Sequence, residues 1–287
     1  MTQLGVLLRD AVVLLGQAGI ESASLEARLL MAHALGVERN VVLDRGRDID
    51  PAPFDKLLKR RLSHEPLAYI TGRQGFWTLD LAVSPETLIP RADSETLVSA
   101  AIEVFAGRPP GRILDLGTGT GCLLLASLVV FPGAFGVGVD LAPGAVSLAR
   151  RNAEEAGLAG CATFVAGSWA DCLSGQFDLV LSNPPYIPAG EVAALMPEVA
   201  WFEPARALDG GADGLDAYHA LATVLPRLLT ESGRAIVELG AGQLDPVCAM
   251  FASAGLDRER VANDLGGIAR ALVLRPQKTF GSAASSG

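Results

Sequence analysis

Four consecutive residues, Asn183-Pro184-Pro185-Tyr186, carry the functional groups best suited to chemistry in this chain. They follow an apolar run, Phe177-Asp178-Leu179-Val180-Leu181-Ser182, that reads as a buried strand. Neither proline can donate to a sheet ladder, so the strand stops there and the backbone turns rigidly. The carboxyl end of a strand in an open α/β sheet is where ligands bind. At that point the turn offers an amide, carbonyl acceptors and an aromatic ring, with few N–H donors. A substrate that brings its own N–H groups suits such a site. Taken alone, the two prolines describe a loop closing a core strand equally well.

A second cluster precedes it. Asp115-Leu116-Gly117-Thr118-Gly119-Thr120-Gly121 follows an apolar run beginning at Ile113. Alternating glycines let the backbone turn tightly and approach a ligand closely. Roughly twenty residues on, at the end of the next apolar run, Asp140 stands where a carboxylate accepts both ribose hydroxyls of a nucleoside. Two cofactors fit, a dinucleotide or S-adenosyl-L-methionine. The dinucleotide pattern has its third glycine three positions after the second, so that a helix N-terminus faces the pyrophosphate. Here the order is Gly-x-Gly-x-Gly behind an acid, which repels pyrophosphate and suits an ammonium or sulfonium group; the spacing favours S-adenosyl-L-methionine. Trp169, after the third run, offers a face to an adenine or fills the core at a strand end.

The elements that must hold these groups alternate. From Arg112, apolar runs at Ile113–Leu116, Phe135–Val139, Ala162–Val165, Phe177–Leu181 and Ala235–Leu239 predict parallel strands. Helical stretches at 121–130, 144–156, 215–229 and 243–254 predict a doubly wound α/β sheet. Two closing strands, Arg258–Asn263 and Ala271–Arg275, are joined by Gly266-Gly267, short enough for antiparallel pairing. Upstream, residues 1–72 read as a small all-helical domain, with Gly19 as a stop, Ser24 as an N-cap, a short element near Val41, and Asp50-Pro51 opening a helix to Leu62. Residues 73–92 read as a β-hairpin linker, 93–276 as the catalytic domain, and 277–287 as a disordered tail. Asp93 or Ser94 is positioned to cap the helix that starts at Glu95. The charges of Arg91, Asp93 and Glu95 suit either a cap with exposed charge or a lid over a cofactor.

Composition removes several function classes. The longest apolar stretch, Cys122 to Phe131, is about half of a membrane span. Arg9 and Asp10 interrupt the N-terminal apolar residues, so this segment reads as an amphipathic helix and not a signal peptide, and the expected compartment is the cytoplasm. Cys122, Cys161, Cys172 and Cys248 have neither metal nor redox spacing, and the three histidines are scattered, so buried reduced thiols and no metal are expected. Residues 1–73 carry ten Lys/Arg against nine Asp/Glu, a net +1; residues 74–287 carry thirteen against twenty-three, a net −10 that accounts for the chain's −9 and lies in the part with the presumed active site. That argues against direct nucleic-acid binding. The basic run Lys56 to Arg61 reads as a solvated helix face or part of a docking surface.

The Asp-x-Gly-x-Gly-x-Gly turn, the ribose carboxylate and Asn-Pro-Pro-Tyr together resemble the amino methyltransferases, which act on adenine, guanine or the glutamine side-chain amide. Glu65-Pro66-Leu67-Ala68-Tyr69-Ile70-Thr71-Gly72, Phe76-Trp77, Leu88-Ile89-Pro90-Arg91 with Asp93 and Glu95, Glu203-Pro204, Ala207-Leu208 and Asp213-Gly214-Leu215 resemble the peptide chain release factor N5-glutamine methyltransferase family. The family pattern Ile-Pro-Arg-Pro-Asp-Thr-Glu here has Ala92 for the second proline and Ser94 for the threonine, which keeps the hydroxyl. The resemblance implies a Rossmann-like class I methyltransferase fold and methylation of the glutamine in the Gly-Gly-Gln motif of class I release factors. A ribosomal protein or a nucleic-acid amino group is the alternative acceptor; an oxidoreductase or a non-catalytic binding module is the alternative class. Asn183, Pro184 and Tyr186 are then the catalytic residues, with Asn183, Pro184, Pro185 and Tyr186 holding substrate. Asp115, Gly117, Thr118, Gly119, Thr120, Gly121, Asp140, Trp169 and Asn183 are expected to hold the cofactor. An amide nitrogen is a poor nucleophile, so the expected chemistry is orientation by the Asn183 oxygen and the Pro184 carbonyl, with Tyr186 packed on the amide plane.

Overall fold

The computed structural model describes residues 2–38, 46–171 and 173–278. The chain forms two compact units: Met1–Arg73 with Val83–Pro85 and Leu195–Glu203, and Gln74–Ala82 with Glu86–Ala194 and Pro204–Gly287. The element expected near Val41, Cys172, and most of the tail expected to be disordered lie outside the described residues.

In the first unit, helices Leu4–Gln17, Ala23–Leu35, Ala52–Leu62 and Leu67–Thr71 bury leucines at helical spacing. Leu8, Leu15, Leu30, Phe54 and Leu58 meet in one core, as the 3.6-residue period requires. Gly19 stands just past the first helix in the left-handed region, at φ +81°. The second helix starts at Ala23, so Ser24 lies inside it and is not its N-cap. Two strands of two residues, β1 (Thr2–Gln3) and β2 (Asp48–Ile49), pair antiparallel among the helices. The basic run is only partly a solvated face. Arg60 makes a bidentate contact with Glu65 at 2.8 and 2.5 Å. Arg61 is buried, with Glu26 at 2.5 Å and Glu198 at 2.8 Å. Glu198 belongs to the excursion Leu195–Glu203, for which the sequence offered no placement.

The second unit opens at Gln74, inside β3 (Arg73–Phe76), which forms a two-stranded sheet with β4 (Leu79–Ala82). The Trp77 backbone N–H in their turn donates to Glu95 Oε1 at 2.7 Å, so Glu95 is an anchor for the hairpin. The main sheet contains β5 (Arg112–Leu116), β6 (Phe135–Asp140), β7 (Ala162–Ala166), β8 (Phe177–Ser182), β9 (Leu229–Glu238), β10 (Leu256–Asn263) and β11 (Ala269–Pro276). Their spatial order is β10-β11-β9-β8-β5-β6-β7. Strands β5 to β9 pair parallel; β10 and β11 add an antiparallel edge. This is the doubly wound, Rossmann-like sheet that the alternation predicts.

Both faces of the sheet are covered, which explains the near-continuous apolar strands. Ile113, Leu179, Leu181 and Ile236 face a core shared with helices Glu95–Val104, Cys122–Val130 and Pro143–Glu155. Leu114, Leu116, Val180 and Val237 face the opposite core, with Tyr218, Leu221, Val247 and Phe251 from helices Asp216–Leu228 and Leu244–Ser253. The chain leaves β5 toward β6 on one side, while β8 lies on the other. The strand order therefore reverses between β5 and β8, and their carboxyl ends open a crevice. Among the described residues no helix is long and apolar enough to cross a membrane. Cys122, Cys161 and Cys248 are free and half-buried, less enclosed than expected.

Candidate active site

The crevice at the β5/β8 reversal is lined by both motifs. Gly117, Thr118, Gly119 and Thr120 form one side, Asp140, Leu141 and Trp169 extend it, and Asn183 and Pro185 close it. Register explains the meeting, since Leu116 of β5 pairs with Ser182 of β8, one residue before each motif turns out of the sheet. Gly117 and Gly119 have φ of +75° and +53°, where a side chain would strain the turn. The N–H groups of Gly117 and Thr118 both donate to the Val139 carbonyl at 2.9 Å, which ties the loop to the end of β6.

Asp140 fixes the same loop from its side chain. Its Oδ2 accepts the Gly119 N–H at 2.8 Å and its Oδ1 accepts the Ala142 N–H at 2.9 Å. A carboxylate offers about four acceptor sites, so about two remain beyond these bonds on a residue that lines the crevice. Asp115 lies beneath the loop, buried and outside the crevice lining. Its Oδ2 accepts from the Thr118 hydroxyl at 2.7 Å, and Oδ1 has no hydrogen-bond partner among the described residues. Burial pushes the Asp115 carboxyl up to about 7, against the lowering effect of the Thr118 hydrogen bond. Gly121 also lies off the crevice: a Cβ there would meet Ala149 and Leu125 at 3.3 Å, so this glycine serves packing beneath the helix. Trp169 both lines the crevice and packs on the core, at a φ of +47° unusual for so large a residue.

The residues of Asn183-Pro184-Pro185-Tyr186 divide. Asn183 and Pro185 face the crevice, while Pro184 is buried and Tyr186 lies behind. The turn is clamped by a segment distant in sequence. The Ile187 N–H donates to the Leu208 carbonyl at 3.0 Å, and the Gly210 N–H to the Ile187 carbonyl at 2.8 Å. A Cβ on Gly210 would fall 2.9 Å from the Pro185 carbonyl oxygen, and one on Gly214 2.4 Å from that of Tyr186. Glycine is required at both positions for the backbones to meet.

A buried acid with one oxygen unpartnered among the described residues, an acceptor-rich aspartate and a glycine backbone open to the crevice suit a cationic nucleoside. Residues 7–72 match the model of the PrmC N-terminal domain, and residues 94–206 that of the methyltransferase small domain. The release factor glutamine methyltransferase of Rhodospirillum rubrum is 48% identical over 276 residues, covering 95% of this chain and 85% of that protein. The one from Bradyrhizobium diazoefficiens is 42% identical, covering 93% of each. This chain belongs to the release factor glutamine methyltransferase family. The fold is shared more widely. A methyltransferase from Pyrococcus furiosus superposes with a TM-score of 0.51 at 18% identity, covering 70% of this chain and 90% of that one.

For this family member, motif reading found the crevice, passed over Glu86 and Thr87, and left the stretch at Arg91 open between exposed charge and a lid. Glu86, Thr87 and Leu88 line it, together with Pro90, Arg91 and Ser94. Arg206 reaches from the distant clamp segment to the Glu86 carbonyl, with Glu86 Oε2 at 3.3 Å. The stretch around Arg91 thus forms a wall of the crevice. Ser94, read as a helix cap, makes no capping bond; its hydroxyl donates to Glu238 Oε2 at 2.5 Å. Glu238 closes β9 beside Asn183, because Ser182 pairs with Val237. A carboxylate within the apolar run Ala235–Leu239 was the signal that could have found it.

Proposed function

We propose that this protein transfers a methyl group from S-adenosyl-L-methionine to the side-chain amide nitrogen of the glutamine in the Gly-Gly-Gln motif of class I release factors, in the cytoplasm. The observation that carries this reading is the shared crevice: Asn183 and Pro185 line the same opening as Gly117–Thr120, Asp140 and Trp169. S-adenosyl-L-methionine, when bound, supplies an electrophilic methyl group on a sulfonium. Asp140 offers its remaining lone pairs to ribose hydroxyls, Trp169 stands beside the base, and buried Asp115 adds negative charge below the loop.

Asn183 and the Pro184 carbonyl accept the two N–H groups of the substrate amide, which pins the nitrogen and stabilises positive charge as it becomes tetrahedral. Rigid prolines hold these acceptors still, and orientation alone contributes several kcal/mol, on the order of 7–11 at best. No strong base is needed, since a methylated amide nitrogen sheds its proton readily. Pro185 shapes the entry. Tyr186 acts from behind the turn, with its hydroxyl on Glu238 at 3.3 Å. Residues 1–72 are the proposed docking domain for the body of the release factor, 73–92 the linker, and 93–276 the catalytic domain.

The test is methyl transfer from labelled S-adenosyl-L-methionine to a purified class I release factor, beside a copy with Gly-Gly-Gln changed to Gly-Gly-Ala. Label in the first alone is the expected result. Label in both, or in neither while the cofactor binds, overturns the assignment.

A further inference from the structure

A side-chain amide can present either its oxygen or its NH2 to a ligand, and the proposed reaction needs the oxygen of Asn183. Ser94, on the crevice wall, and Glu238 and Tyr186 behind it decide which end turns outward. The Asn183 Nδ2 donates to the Ser94 hydroxyl oxygen at 3.1 Å. The Ser94 hydroxyl donates to Glu238 Oε2 at 2.5 Å, and the Tyr186 hydroxyl to Glu238 Oε1 at 3.3 Å. An ionised carboxylate can only accept. Ser94 has one hydroxyl proton, committed to Glu238, so toward Asn183 it can only accept. Asn183 must then give Ser94 its NH2 and keep Oδ1 for the crevice it lines.

We propose that Glu238, acting through Ser94, is a positioning residue that holds the Asn183 amide with its oxygen available to the substrate nitrogen. This rests on the proposed glutamine methylation and extends it to two residues that touch neither reacting atom.

The charged and titratable groups facing Glu238 are Arg270, Asp93 and Tyr186, with Tyr218 and Cys122 nearby. Arg270 is itself held by Asp264 at 2.9 Å and Asp93 at 3.4 Å. Burial lifts the Glu238 carboxyl to about 7, although the Ser94 hydrogen bond and Arg270 oppose the shift. A proton on Oε2 reverses the relay. Ser94 then accepts from Glu238, turns its own proton toward Asn183, and the amide flips to present NH2 to the crevice.

The experiment measures kcat on release factor and S-adenosyl-L-methionine affinity by calorimetry for wild type, S94A, S94T, N183A and the S94A/N183A double variant. S94A should lower kcat roughly tenfold or more with cofactor affinity unchanged, and S94T should restore most of the rate. N183A should lose roughly a hundredfold, and adding S94A to it should cost less than about twofold, because the relay acts only through Asn183. An S94A cost equal in both backgrounds, or no cost in wild type, overturns the proposal. Should S94A lose cofactor binding, E238Q decides, being of the same size. Wild-type kcat should fall tenfold per pH unit below about 7, and E238Q, which keeps an acceptor oxygen for Ser94 but takes up no proton, should lose that limb; an acid limb unchanged in E238Q overturns the relay. Failure of wild type to label release factor would instead strike the proposed function.

Discussion

The Asp140 carboxylate accepts the Gly119 backbone N–H at 2.8 Å, joining the end of β6 to the middle of the glycine loop. The acid that faces the crevice is thus also a strut for the loop opposite it. Replacing Asp140 with alanine removes a charge-assisted acceptor and frees the Gly119 peptide. Hydrogen bonds to charged groups are worth about 1.5–3 kcal/mol, so cofactor affinity should weaken by roughly ten- to a hundredfold. Titration calorimetry with S-adenosyl-L-methionine checks this, and unchanged affinity would remove Asp140 from the site.

Gly214 has a φ of +79°, and an added Cβ would sit 2.4 Å from the Tyr186 carbonyl oxygen. The obstacle is backbone, which cannot rotate away. Gly214→Ala should push the Asn-Pro-Pro-Tyr turn out of position while leaving the glycine loop alone. A displacement near 1 Å can cost about a hundredfold in rate. The expected outcome is a large loss of kcat with cofactor affinity nearly intact; full turnover would show that the clamp does not set the turn.

How much of this was legible depended on whether a residue announces its role locally. Strands β5 to β9 were legible because both faces are buried, so each shows as an apolar run between helical stretches. The glycine loop and the double proline were legible because they break backbone rules that other residues obey. Ser94 was misread because its neighbours make it a good cap, while its partner Glu238 lies 144 positions away. Arg61 looked like one more exposed cation because its two acids come from residues 26 and 198. Long-range polar pairs leave no periodic trace in a single sequence, and these are the groups that orient the site.

Arg61 is 3% exposed, and its guanidinium serves both Glu26 and Glu198. Removing one partner of a buried ion pair costs more than the pair contributes, because the remaining charges stay poorly solvated. Both acids keep some solvent contact, which lowers the penalty. Arg61→Ala should destabilise the first unit by about 2 kcal/mol, visible as a lower calorimetric melting transition. An unchanged transition would mean that the two acids rehydrate freely once the arginine is gone.

Asp115 and Glu238 give stability a pH dependence opposite to that of the rate. Each carboxyl is raised by burial to about 7, above its ordinary value. Between the unfolded value, near 4, and the folded one, the folded chain holds protons that the unfolded chain has released. Stability therefore falls as pH rises through that window and levels off above about 7. The melting temperature without cofactor should be higher at pH 5.5 than at pH 8. Glu238→Gln removes one of the two groups, so it should flatten the slope and raise the melting temperature at pH 8. A melting temperature that climbs with pH would contradict the assignment of both acids. The ionised Glu238 that the relay needs is the less stable form of the fold, so the enzyme should be most active where it is closest to unfolding.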